Sequence, residues 1–132
     1  MPLTARRRGC IYRVGIQRMA TTTLPTSRNE TLTTPYGEVL GTSYRWPGGQ
    51  YCAIHTSRGI VGCGIYDVNI AGEFGMAVAI ARGTPAKPLC EPEDLYQAKI
   101  VEVSAPAKKL GIEPGMTGLE ALAKARLGAI DP

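Results

Sequence analysis

The stretch Gly62-Cys63-Gly64-Ile65-Tyr66-Asp67 holds the residues best suited to chemistry. Glycines on either side of a cysteine let a substrate backbone or a phosphate come close. A thiol near a helix N-terminus has its pKa lowered, and the thiolate is the nucleophilic form. Cys63 is therefore a candidate nucleophile and Asp67 a candidate acid or base. Each also has a plainer role. Cys63 alternates with Val61 and Ile65 on one strand face, as a small core residue does, and Asp67 suits the cap of the turn after its strand. Gly62 and Gly64 lie on the other face of that strand. Arg82, at the end of an apolar run, can bind an anion, with Gly83 allowing close approach. His55, the one histidine, suits a strand edge as well as a ligand. The candidate ligand-binding set is thus Gly62, Gly64, Arg82, Gly83 and His55.

Several familiar chemistries lack their residues. Asp67 stands where a dinucleotide fingerprint after Gly62 and Gly64 needs its third glycine, and there is no Gly-Lys-Ser/Thr phosphate loop. The four cysteines, Cys10, Cys52, Cys63 and Cys90, form no C-x-x-C pair. With one imidazole besides, no metal site and no cofactor are expected. Free thiols in a reducing cytoplasm are the expectation for such cysteines.

The elements that must hold these residues read as follows. Glu38 to Trp46, Gln50 to Thr56 and Ile60 to Tyr66 are strands, separated by the turns Pro47-Gly48-Gly49 and Ser57-Arg58-Gly59. Gly41 marks a bulge or a close approach. In the second strand Cys52, Ile54 and Thr56 face one way, and Tyr51, Ala53 and His55 the other. Asp67 or Asn69 caps a short helix over Ile70 to Phe74, which Gly75 ends. Met76 to Ala81 is an apolar strand of buried type. Pro92-Glu93-Asp94 opens a short helix with acids in its first turn. Lys99 to Val103 fits a brief strand or a piece of helix. Ser104 and Pro106 start a further short helix that stops at Gly111. Thr117-Gly118-Leu119-Glu120 is a capping box for a helix from Leu119 to Leu127, with Leu119, Leu122, Ala123 and Leu127 on one face. Strands first and helices last predict an α+β fold: a small, mostly antiparallel sheet of about four strands with several short helices.

Charge divides the chain. Its 132 residues carry a formal +4, yet residues 1–28 hold six arginines and no acid. The remaining 9 bases and all 11 acids lie in residues 29–132, which sum to −2. Residues 1–28 are therefore expected to be a disordered basic segment, with translation from Met19 as an alternative start, and residues 29–132 a single domain. The basic balance argues for a nucleic-acid partner only through that Arg-rich segment. No apolar run approaches the ~20 residues of a membrane span, so no membrane is expected. A small anionic ligand and a second copy of the chain are the partners expected.

Three blocks of sequence resemble a family. They are Arg58-Gly-Ile-Val-Gly-Cys-Gly-Ile-Tyr-Asp67, Ala77-Val-Ala-Ile-Ala-Arg-Gly83, and Leu110-Gly-Ile-Glu-Pro-Gly-Met-Thr-Gly-Leu-Glu-Ala-Leu122. Over residues 31–127 the chain is similar to the YunC-like family, a small prokaryotic domain of unknown function. The resemblance implies a compact α+β fold, a cytoplasmic setting, and interest in Cys63, Gly64 and Asp67 as signature positions. It assigns no activity. The Pro-rich loop from Thr84 to Pro92, with Cys90 in it, departs from the family's pattern. On these grounds the expectation is a non-catalytic, self-associating ligand-binding or interaction module. The alternative is a small transferase- or hydrolase-like enzyme using Cys63 or Asp67.

Overall fold

The structure is a computed structural model describing residues 24–130, with side chains described through residue 125. Six strands form one sheet in chain order: β1 (Thr26–Thr34), β2 (Gly37–Trp46), β3 (Gly49–His55), β4 (Gly59–Gly62), β5 (Ala77–Arg82) and β6 (Lys99–Val103). All neighbouring pairs are antiparallel except β4 and β5, which run parallel. A parallel pair needs a crossover, and α1 (Val68–Glu73) supplies it. A 3-10 turn (Pro92–Leu95), α2 (Ala105–Lys109) and α3 (Gly118–Ile130) complete the chain. The fold is α+β, with two more strands than the sequence suggests.

Both additional strands have a physical reason. β1 is Thr-Ser-Arg-Asn-Glu-Thr-Leu-Thr-Thr, almost wholly polar and exposed. It is held by continuous pairing with β2 from Thr26↔Arg45 to Thr34↔Gly37, not by an apolar face. Its first residues, 26–28, lie within the segment that charge marks off as a tail, so Arg28 is a sheet residue. The disordered segment and the Met19 start otherwise fall outside the described residues. β6, ambiguous by periodicity, is decided by its partner: it pairs antiparallel with β5.

Local rules hold elsewhere. The Asp67 carboxylate accepts from the amides of Asn69 at 2.8 Å and Ile70 at 3.1 Å, fixing the start of α1. The Thr117 amide donates to the Glu120 carboxylate at 2.8 Å, and the Glu120 amide donates to the Thr117 hydroxyl at 3.2 Å, closing the capping box of α3. That helix continues through Gly128 to Ile130. The register runs unbroken past Gly41. Gly41 is thus a close approach, not a bulge: a Cβ there would lie 2.6 Å from Leu32 Cδ1 and 2.8 Å from Pro92 Cγ.

The main core lies between one face of the sheet (Cys52, Ile54, Val61, Ala79, Ala81, Ile100) and Leu95, Leu122 and Ala125. The opposite face carries a smaller cluster of Ala71, Val78 and Ile80 beneath α1. β5 therefore alternates between two covered faces, which is why it reads as a continuous apolar run. No helix among the described residues is long and apolar enough to cross a membrane.

Candidate functional site

β4 and β5 run in parallel, so Cys63-Gly64, just after β4, and Arg82-Gly83, at the end of β5, are brought together. They border a cavity of about 400 Å³, whose wall also includes Gln50, Ile65, Leu89, Val101 and Glu102. The carboxyl ends of parallel strands are where α/β sheets open toward ligands. A register shift helps to open this one. Ile80 pairs with Glu102 but Ala81 pairs with Ile100, leaving Val101 as a bulge residue on the cavity wall.

Cys63 lies one residue beyond β4. Its amide donates to the Cys52 carbonyl at 3.2 Å, extending the β3–β4 ladder by one step. Cys52 is fully buried, while Cys63 is partly buried and packs against the same core. Both are free thiols. Cys90, also buried, is disulfide-bonded, so the free-thiol expectation fails there. The Cys52 thiol donates to the Cys63 sulfur, and the backbone of Ile65 adds a further hydrogen bond. Together they outweigh burial and hold the Cys63 thiol down at about 6. The same bond and complete burial push Cys52 well above the ordinary thiol range. Ionisation is thus biased toward Cys63, on the cavity wall, and away from Cys52 behind it.

The other expected site residues separate into two groups. Gly64 and Gly83 border the cavity with exposed Arg82. Nothing lies within 4 Å of a Cβ placed on Gly64, so that side is open. Gly62, Asp67 and His55 lie outside the cavity wall. A Cβ on Gly62 would sit 2.5 Å from Tyr66 Cδ2, so its close approach serves that ring. Tyr66 meets Tyr51 edge-on at 6.2 Å, and Tyr51 stacks on Tyr44 at 4.8 Å. Burial pushes the Tyr66 hydroxyl up to about 12. Asp67 caps α1. His55 pairs across the sheet with Leu40 and Ile60, touches the Thr42 hydroxyl at 3.4 Å, and is held below its ordinary pKa by burial. Ile65 is not a core partner of Cys63: β4 stops at Gly62, the alternation ends there, and Ile65 is 57% exposed.

Sequence reasoning missed Cys52. The signal was available in the hairpin: a turn centred on residues 57 and 58 pairs Ala53 with Gly62 and so sets Cys52 opposite Cys63. Among the described residues, no group of three His, Cys, Asp or Glu side chains is placed to hold a metal ion.

Comparison with known proteins adds a partial family match and a fold. Residues 62–125 match the model of a family described as Domain of unknown function (DUF1805). The match begins at Gly62, immediately before Cys63, and ends in α3. No curated protein matches. Among solved structures, a protein of unknown function, TA1206 from Thermoplasma acidophilum, is similar with a TM-score of 0.68 and 21% identity. That similarity covers 80% of this chain and 99% of that one. At that identity it speaks for the fold alone.

Proposed function

We propose that the chain is a ligand-binding module whose cavity, at the joined ends of β4 and β5, takes a small anionic ligand. The observation that carries this reading is the convergence of Cys63, Gly64, Arg82 and Gly83 on one cavity of about 400 Å³. That volume suits a small molecule, near the lower end of the ~300–1,000 Å³ common for such sites. Arg82 supplies a cation with no carboxylate ion pair among the described residues, and open Gly64 offers access to the backbone. A thermal-shift series with phosphate, pyrophosphate and small carboxylates tests it. Stabilisation should grow as ln(1 + [L]/Kd) and be lost in Arg82→Gln. No shift with any of these anions defeats the reading.

A second reading is supported by the Cys63 thiolate: a small enzyme with Cys63 as nucleophile, which would need no separate base to ionise it. Asp67, committed to the cap of α1, has no part in it. Rapid iodoacetamide labelling of native Cys63 at neutral pH supports this reading, and labelling only after unfolding opposes it.

Self-association belongs to the same proposal. Ile70 on α1, Phe74 at its C-cap and Met76 just beyond are 54%, 73% and 47% exposed. Sedimentation of a monomer at every working concentration would remove this part. The finer likeness to the YunC-like family, with its prokaryotic and cytoplasmic setting, rests on the three sequence blocks and is likewise proposed. Nucleic-acid binding through the Arg-rich segment falls on residues outside those described.

A further inference from the structure

We propose that Cys52 and Cys63 form a redox-active dithiol, in which Cys63 reduces a small disulfide entering the cavity and Cys52 resolves the product into a cross-strand protein disulfide. The proposal uses the same cavity as the anion-binding reading but does not depend on an anion. Its basis is the juxtaposition of two free thiols with opposite access. Cys52 is fully buried in the main core, and Cys63 borders the cavity. They stand directly opposite one another, because Ala53 pairs with Gly62 and the ladder extends one step through the Cys63 amide and the Cys52 carbonyl. Hydrogen-bonded antiparallel partners have Cα atoms about 5.5 Å apart, inside the roughly 4.4–6.8 Å that a disulfide spans. The Cβ atoms of such a pair, about 5.5 Å apart, must draw in to the roughly 3.5–4.5 Å of a disulfide, a local adjustment that leaves the strand register unchanged.

The chemistry balances without any group beyond the disulfide substrate. The Cys63 thiolate attacks one sulfur of the small disulfide. A new S–S bond forms to Cys63, the substrate's own S–S bond breaks, and one small thiolate leaves. That thiolate or solvent takes the Cys52 proton. Cys52 then attacks the Cys63 sulfur, the mixed disulfide breaks, and the second small thiolate leaves. The protein dithiol has lost two electrons, and the small disulfide has become two thiols.

The environment favours this order of events. A thiol ionised near working pH is the better attacker, and Cys63 is that thiol while Cys52 stays protonated. Once Cys63 is a mixed disulfide its negative charge is gone. One of the influences holding the Cys52 proton goes with it. Burial keeps Cys52 from any other electrophile, so it acts only on its neighbour.

Oxidised glutathione is the probe. The reduced full-length protein is incubated with it near pH 7, trapped with acid, and mapped by intact mass and peptide analysis. The expected product has Cys52 joined to Cys63, with no glutathione retained on Cys63. In Cys52→Ala, or Cys52→Ser if the first does not fold, the mixed disulfide should persist on Cys63. Three wild-type results would overturn the proposal: glutathione stably retained on Cys63 with Cys52 reduced, Cys63 joined to another cysteine, or Cys63 unreacted. The wild-type map decides even if neither variant folds. The phosphate and carboxylate thermal shifts remain separate, so failure of either idea leaves the other standing.

Discussion

Two arginines mark two different regions of the molecule. At the β1 edge, Arg28 donates to Glu91 at 2.8 Å and Glu93 at 2.8 and 2.9 Å, with Glu30 also in contact, while Arg45 pairs with Glu91. There the charges answer one another and tie a polar strand to the 3-10 turn. At the ends of β4 and β5, Arg82 has no such carboxylate partner among the described residues and borders a cavity with a thiolate. The first region shows charge used to hold an edge strand that has little apolar surface. The second leaves Arg82 and Cys63 on a cavity wall, where the proposed ligand would meet them.

The sharpest way to break this contrast is at the thiol. Iodoacetamide labelling of wild-type Cys63 should rise through a midpoint near pH 6, and Cys63→Ser should abolish it with unfolding free energy changed by less than about 1 kcal/mol. Cys52→Ala removes the donor and should move the midpoint toward the ordinary ~8.5. An unchanged midpoint would show that Cys52 does not tune its neighbour.

Next in size is Leu95→Ala, which empties a fully buried position beneath the ion pairs. Urea unfolding should show a loss of about 2–5 kcal/mol, with labelling of the native Cys63 thiol retained. If labelling collapsed along with stability, the two regions would not be independent.

The smallest effect is expected at Arg28→Ala. The pairs are partly exposed, so about 0.5–1 kcal/mol is the scale, shrinking in high salt. Its pH dependence has a definite sign. The Arg28 guanidinium holds the Glu93 carboxyl below its ordinary value. The resulting stability is therefore present above the ordinary glutamate pKa and lost as pH falls through the depressed one. Stability measured from pH 7 down to 3 should fall less steeply in the variant. An identical acid limb would show that the pair contributes nothing.

Much of the scaffold was legible because its signals are local. The Asp67 cap, the Thr117–Glu120 box and the unbroken apolar run of β5 each need only residues within a few positions. β1 was not legible, because a Thr-rich polar strand has no period to read and is held by pairing and by carboxylates more than sixty residues away. The candidate site was half legible. Cys63, Gly64, Arg82 and Gly83 were singled out by type, while Gly62, Asp67 and His55 had the right types but local duties.

The sequence alone determined which residues had chemistry to offer and where the chain turns, since capping, glycine turns and strand alternation are short-range effects. Only the tertiary structure decided which of them meet. Parallel pairing of β4 with β5 puts Cys63 and Arg82 on one cavity, although they stand nineteen positions apart in the chain. The hydrogen bond between Cys52 and Cys63, with the deeper burial of Cys52, biases ionisation toward Cys63, because charge is favoured on the sulfur that receives hydrogen bonds.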